Sequence, residues 1–176
     1  EMKTKELLII IPAYNEGKNI QRVLEHLEQL EEMNFSDVAD ILVINDASTD
    51  TTNWIVKQMQ YPMLSQLYNM GYGCALQTGY KYAVRRGYKY LIQMDGDGQH
   101  DVCNIPVIYQ KLRETDQGGR YPDIVLGARF RKDSADFPVS LPKRMVYAMF
   151  RGMIRVITGE RISDPTTGLQ GLSRKA

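Results

Sequence analysis

The segment Met94-Asp95-Gly96-Asp97-Gly98-Gln99-His100 carries the densest chemistry in the chain. Two carboxylates at i and i+2 on a tight turn can converge on one hard cation. Oxygen donors select Mg2+ or Mn2+, and such ions usually share their shell with substrate phosphates. Gln99 adds a neutral oxygen and His100 an imidazole, while the glycines let backbone approach a ligand closely. The same composition also makes an inert solvated turn. Placement favours chemistry, because the apolar run Tyr90–Met94 leads straight into the motif. Other reaction types lack their residues. The only histidines are His26 and His100, so no Ser–His–Asp or Cys–His arrangement is credible. Cys74 and Cys103 lack metal-ligand spacing and are expected to be buried small hydrophobes. Neither a G-x-G-x-x-G after the first apolar run nor a G-x-x-x-x-G-K-[ST] occurs, which leaves a dinucleotide fingerprint or P-loop unsupported.

Apolar runs alternate with helical patterns around that motif. Leu7–Ile11, ended by Pro12, predicts a buried strand. Ile20, Val23, Leu24 and Leu27 then repeat at helical spacing. Ile41–Ile44 predicts a second strand. Thr51–Met59 predicts a short helix with Ser48 or Thr49 as N-cap and Asp50 in its first turn. Leu64–Leu67 is a weaker strand. Leu76, Tyr80, Ala83 and Val84 mark a helix with Gly87 at its C-cap. Tyr90–Met94 is a fourth strand, Ile105, Ile108 and Leu112 mark a helix, and Ile124–Leu126 is a fifth strand. This order predicts an α/β fold with a mainly parallel sheet flanked by helices on both faces. Ligands of such sheets sit outside the carboxyl ends of the strands. The polar stretches Pro12–Glu16, Asn45–Ser48, Asp95–His100 and Gly127–Arg129 all fall there.

A chain of 176 residues with 43% hydrophobic and 24% charged residues supports one packed domain. Its 22 basic and 21 acidic residues give a net charge of +1, which argues against a general nucleic-acid binder. Two cysteines are too few for a disulfide framework, so the expected compartment is the cytoplasm. The longest apolar runs are far short of a membrane span. The polar end Ser173-Arg174-Lys175-Ala176 reads as a place where a longer chain continues.

The segments LLIIIPAYNEG, VINDASTDTT, NMGYGCALQTGY, YLIQMDGDGQH, GARF and DPTTG follow the order and rough spacing of the family 2 glycosyltransferases. The chain resembles their GT-A nucleotide-sugar domain, which is Rossmann-like, and within it the dolichyl- or polyprenyl-phosphate sugar synthase branch. The resemblance implies a nucleotide-sugar-binding part over 1–130 and the start of an acceptor-side part over 131–176. It implies that Pro12, Tyr14 and Glu16 line the nucleotide loop, that Asp46 hydrogen-bonds the base, and that Gly71 lets backbone pass close to the nucleotide. Asp95 would contact the UDP- or GDP-linked sugar and reach the metal. Asp97 would be a direct ligand of Mg2+ or Mn2+ and Gln99 a further one. The sequence departs from the family where Asn45-Asp46-Ala47 replaces two aspartates and a glycine, which predicts a stiffer loop.

For the acceptor, the resemblance implies polyprenyl phosphate gripped by Arg129 and Arg144, with Asp164 near the reaction centre. A phosphate acceptor is already anionic at neutral pH and needs cationic clamps rather than a base. The alternatives are a saccharide hydroxyl, which would need Asp164 as base, and a donor-binding module without catalysis. In Leu141–Ile157, Arg144, Arg151 and Arg155 share one helical face against Met145, Met149, Met153 and Ile154. That pattern suits either a helix packed on the sheet or peripheral membrane contact. The reading is an inverting, metal-dependent glycosyltransferase at the cytosolic membrane face.

Overall fold

The computed structural model describes residues 5–32, 35, 37–98, 101–127 and 167–176. Its elements are β1 (Leu7–Ala13), α1 (Ile20–Glu32), β2 (Ala39–Asn45), α2 (Thr52–Gln58), β3 (Met63–Ser65), α3 (Tyr72–Arg86), β4 (Tyr90–Gln93), α4 (Asn104–Arg113), β5 (Ile124–Leu126) and β6 (Gln170–Ser173). They form one six-stranded sheet in the order β3-β2-β1-β4-β6-β5. β1, β2, β3 and β4 pair in parallel, and β6 runs antiparallel between β4 and β5.

Strand periodicity divides the core. Leu7, Ile9, Ile11 and Ala13 of β1 face one side, where α1, α2 and α4 contribute Leu24, Leu27, Val56, Ile105 and Leu112. Leu8 and Ile10 face the other side, against Ala75 and Ala83 of α3. All seven β1 residues are buried, as a central strand covered on both faces requires.

β1 runs through Pro12 instead of stopping at it. Its pairing with β4 ends at Ile10↔Gln93, with Met94 N–H donating to the Ile10 carbonyl at 3.0 Å. The Ala13 carbonyl turns the other way and accepts from Asp46 N–H at 2.9 Å. Pro12 therefore faces the β4 side beyond the last pair, where its missing N–H costs no ladder bond.

Four further expectations change. Thr51, not Ser48 or Thr49, holds the N-cap position of α2 without a side-chain cap bond, and Asp50 precedes the helix, its Oδ1 accepting from Thr52 N–H. The reason is Asn15, whose side-chain carbonyl accepts from Thr49 N–H at 2.9 Å and Asp50 N–H at 3.3 Å and draws that backbone toward β1. β3 ends at Ser65, because Gln66 N–H closes onto the Asn45 carbonyl and Leu67 swings into solvent. Cys103 is exposed and Cys74 half-buried; Cys103 sits at the surface start of α4. β6 was not anticipated at all, and it places residues 170–173, from the expected acceptor-side part, inside the sheet. Gly87 does end α3 in the left-handed conformation.

Candidate active site

The chain leaves β1 toward β2 on one side and later returns to β4 on the other. In open α/β sheets this reversal opens a crevice at the carboxyl ends. A cleft of about 700 Å3 lies there, lined by Pro12 near the end of β1, Tyr14 and Glu16 after it, Asp46 after β2, Gly71 and Tyr72 before and in α3, and Asp95 and Asp97 after β4. Seven of the residues singled out from the sequence thus share one cavity: Pro12, Tyr14, Glu16, Asp46, Gly71, Asp95 and Asp97. Gln99, Arg129, Arg144, Asp164 and His100 lie outside the described residues, as does the 141–157 helix pattern.

The first wall is set by a latch between two loops. Asn15 adopts a left-handed φ of 54° and gives its own N–H to Ser48 Oγ at 3.0 Å. Gly17 N–H donates to Asp50 Oδ2 at 2.8 Å. Asp50 also accepts from Thr52 N–H at 3.0 Å and Thr52 Oγ1 at 2.5 Å. These hydrogen bonds outweigh burial and hold its carboxyl below the ordinary aspartate range, although burial alone pushes it up. The latch leaves Tyr14 half-exposed beside Pro12 as a flat apolar wall.

Asp46 is 2% exposed. Its Oδ1 accepts from Met70 N–H at 2.9 Å and its Oδ2 from Gly71 N–H at 2.8 Å. The residue that the resemblance gives to the base therefore fixes the 70–71 backbone as well. Gly71 has φ 88° and ψ 160°, a region essentially confined to glycine. That turn aims the next residue, Tyr72, into the cleft.

At the β4 end, Tyr72 donates its hydroxyl to Asp95 Oδ1 at 2.6 Å. Burial pushes the Tyr72 hydroxyl well above the usual tyrosine range, and the Asp95 hydrogen bond and the Asp95 and Asp97 charges add to it. Tyr80 donates to Gln93 on the cleft floor, and burial raises its hydroxyl too. Both phenols stay neutral donors at pH 7. On its other side Asp95 meets Gly168, where any Cβ would overlap the carboxylate. Gly168 is delivered by Thr167, which is buried and donates to the Gly127 carbonyl at 2.5 Å. Tyr72, Tyr80, Gln93, Thr167 and Gly168 were missed as site residues. The DPTTG motif was the one sequence signal for the last two.

The donor set suits a hard cation. Asp95 and Asp97 offer oxygen ligands on one turn, and a Cβ at the intervening Gly96 would come 3.2 Å from the Pro12 carbonyl, so the turn packs tightly under the cleft. Among the described residues no cluster of three or more His, Cys, Asp or Glu side chains is arranged for a metal. Two carboxylates fit an ion that takes the rest of its shell from phosphates and water. The described lining holds four carboxylates, Glu16, Asp46, Asp95 and Asp97, and no lysine or arginine.

The chain is similar to known proteins over most of its length. A dolichyl-phosphate beta-glucosyltransferase of Trichomonas vaginalis is 30% identical over 97% of this chain and 54% of its own length. An undecaprenyl-phosphate mannosyltransferase of Micrococcus luteus is 28% identical over 92% of this chain and 64% of its own. Among solved structures, glucosyl-3-phosphoglycerate synthase from Mycobacterium tuberculosis, in complex with Mn2+, UDP and glucosyl-3-phosphoglycerate, superposes with a TM-score of 0.70. It is 18% identical and is covered over 57% of its length by 97% of this chain. The fold is the GT-A fold. The chain spans between 51% and 68% of the first four curated relatives it matches. The match to the family model runs over residues 8–176, and the chain belongs to glycosyl transferase family 2.

Proposed function

We propose that the chain carries the donor-binding part of a metal-dependent, inverting glycosyltransferase that moves a sugar from a nucleoside-diphosphate sugar to a polyprenyl phosphate at the cytosolic membrane face. One observation carries the donor half of this reading. Asp95 and Asp97 share a cleft with the Pro12–Tyr14 wall and with the backbone that Asp46 holds at Met70 and Gly71. A diphosphate entering a lining of four carboxylates needs positive charge between the two. Asp97 and Asp95 would hold Mg2+ or Mn2+, which when bound offsets charge on the departing nucleoside diphosphate. The relatives named for dolichyl-phosphate and undecaprenyl-phosphate transfer support the lipid-phosphate acceptor.

In the reaction an acceptor oxygen forms a bond to the anomeric carbon from the face opposite the diphosphate. The bond from that carbon to the phosphate oxygen breaks, and the electron pair leaves with the nucleoside diphosphate. This chain's part is to orient and exclude. The Tyr14 wall receives the base, the Gly71 turn lets backbone approach, and the neutral phenols of Tyr72 and Tyr80 give hydrogen bonds without taking protons. Arg129 and Arg144 are assigned to the acceptor phosphate, and Asp164 to ordering the reaction centre.

Calorimetric titration of UDP, UDP-glucose and GDP-mannose, with and without Mn2+, tests the donor site on wild type and Asp97→Ala. Binding should depend on Mn2+, and Asp97→Ala should weaken it about 100-fold or more, since even residues behind a metal ligand matter tenfold to 100-fold. A folded wild type that binds none of these would remove the donor-site assignment. Transfer to a saccharide in preference to polyprenyl phosphate would remove the acceptor assignment alone.

A further inference from the structure

We propose that Tyr72 is a positioning residue that ties the nucleotide loop to the cation-binding carboxylates: Asp46 fixes the backbone at Met70 and Gly71, that backbone aims Tyr72, and the Tyr72 hydroxyl orients Asp95. The inference rests on the donor-site reading and extends it to Tyr72, which lies inside the NMGYGCALQTGY segment but to which the resemblance gave no role.

The chain of contacts is continuous. Both Asp46 oxygens hold loop N–H groups, at 2.9 Å and 2.8 Å. The Asn69 side chain also accepts from Gly71 N–H, at 3.1 Å. Gly71 turns the chain through a φ of 88°, and Tyr72 follows as the first residue of α3. Its hydroxyl reaches Asp95 Oδ1 at 2.6 Å, a short bond of the kind formed to an ionised acceptor. Gly168 blocks the opposite side of the carboxylate. Asp95 is thus bracketed between a donor and a steric stop, which removes the rotation that an aspartate on a turn otherwise keeps.

The kind of donor matters. A lysine here would orient Asp95 and also cancel its charge, competing with the incoming cation. A phenol orients it without bringing a positive charge of its own. A carboxylate oxygen has a second lone pair, so the hydrogen bond and a metal can share Oδ1. Partners behind a metal ligand commonly set affinity by tenfold to 100-fold.

The link also gives the two halves of the ligand a mechanical connection. A nucleotide that presses on the 70–71 backbone shifts the hydroxyl that holds Asp95. Nucleotide and cation should therefore bind with positive cooperativity, and that cooperativity should pass through one oxygen atom.

Tyr72→Phe removes that oxygen and keeps the ring. Mn2+ affinity is measured in the presence of whichever of UDP or GDP the wild type binds, and the affinity of that nucleotide is measured again in EDTA. Tyr72→Phe should weaken Mn2+ about tenfold and leave nucleotide binding in EDTA unchanged. In an Asp95→Asn background, Tyr72→Phe should add nothing. Thermal melts confirm that each variant is folded. Wild-type Mn2+ affinity in Tyr72→Phe overturns the inference, as does an equal loss with and without metal, or additive losses in the double variant. A wild type that binds neither nucleotide under any condition overturns the donor-site reading itself, and the inference with it.

Discussion

At the amino ends of the strands, Asp40 lies 3.0 Å from Lys5 and accepts from the Tyr88 hydroxyl at 2.7 Å. Glu6 lies 2.5 Å from Lys89 and accepts from Tyr109 at 3.2 Å. At the carboxyl ends the donors differ. Asp46 takes two backbone N–H groups, Asp50 takes Gly17 N–H and Thr52, and Asp95 takes a phenol. An ammonium partner neutralises a carboxylate. An N–H or O–H donor fixes its direction and leaves its charge. The same kind of side chain thus pairs with an ammonium at one end and is oriented by N–H and O–H donors at the other. The arrangement places the negative field where a metal and a diphosphate would enter.

The contrast has an energetic side that mutation can sharpen. Asp46 is almost fully buried, and Asp46→Ala would remove two charged hydrogen bonds, depriving the Met70 N–H of its acceptor and leaving the Gly71 N–H only the Asn69 side chain. Hydrogen bonds to charged acceptors contribute about 1.5–3 kcal/mol each, so the loss should be about 3 kcal/mol or more in urea unfolding. Lys5→Met at the other end touches a pair whose side chains are 35% and 39% exposed. It should cost under about 1 kcal/mol. Equal costs would mean that the carboxyl-end aspartates are held no more firmly than surface ion pairs.

Much of this architecture is legible in residues, and the exceptions have physical causes. β1, β2 and β4 announce themselves because strands buried on both faces are continuous apolar runs. The carboxylates of the cleft are legible because each lies within a few residues of the end of such a run. β6 is not legible, since Gln170-Gly171-Leu172-Ser173 has neither run nor alternation. On the α4 side it presents Gly171, where any Cβ would overlap Ile108, so close packing removed the side chain that would have marked the strand on that face, while Leu172 packs on the other. Tyr72 was hidden for another reason. Read along α3 it is one more tyrosine near a glycine, and only the turn at Gly71 and the return of β4 beside β1 bring it to Asp95. The capping of α2 was misread because Ser48 and Thr49 are good cap residues in isolation, whereas Asn15, more than thirty residues earlier, claims them.

A smaller effect is expected from acid. The Lys89 hydrogen bond, with the Lys89 charge and Tyr109 behind it, outweighs burial and holds Glu6 below its ordinary value of 4.5. A carboxylate depressed in the folded state stabilises above the unfolded pKa, and that contribution is lost as pH falls through the folded one. Glu6→Gln should therefore be slightly less stable than wild type at pH 7, by under about 1 kcal/mol after allowance for solvent and salt screening. The two proteins should converge as pH falls below the ordinary 4.5 and on through the lowered folded value. Because the pair is half-exposed, raising salt should shrink the difference at neutral pH. A difference that persisted once Glu6 is protonated in both states would show that Glu6 acts through packing, which would blur the distinction between the two ends.

The smallest expected effect lies in the cleft loop itself. Ala47 has a φ of 56°, so the residue after Asp46 keeps a glycine-like conformation without being glycine. Asn15 tolerates its own left-handed φ because its side chain bonds the neighbouring loop. Ala47 has no such side chain, and the left-handed conformation costs an L-residue about 1–2 kcal/mol. Ala47→Gly removes that strain but gives the unfolded chain more freedom, worth about 0.4–1 kcal/mol in the other direction. The net should be a gain of about 0.5 kcal/mol in urea unfolding. Nucleotide affinity should change little, because Asp46 and its two N–H partners hold the adjacent backbone whichever residue follows. A loss of stability in Ala47→Gly would instead mean that the alanine methyl is packed well enough to outweigh its strained backbone. The loop would then be held by contact, and the rigid carboxyl end would rest on more than hydrogen bonds to Asp46.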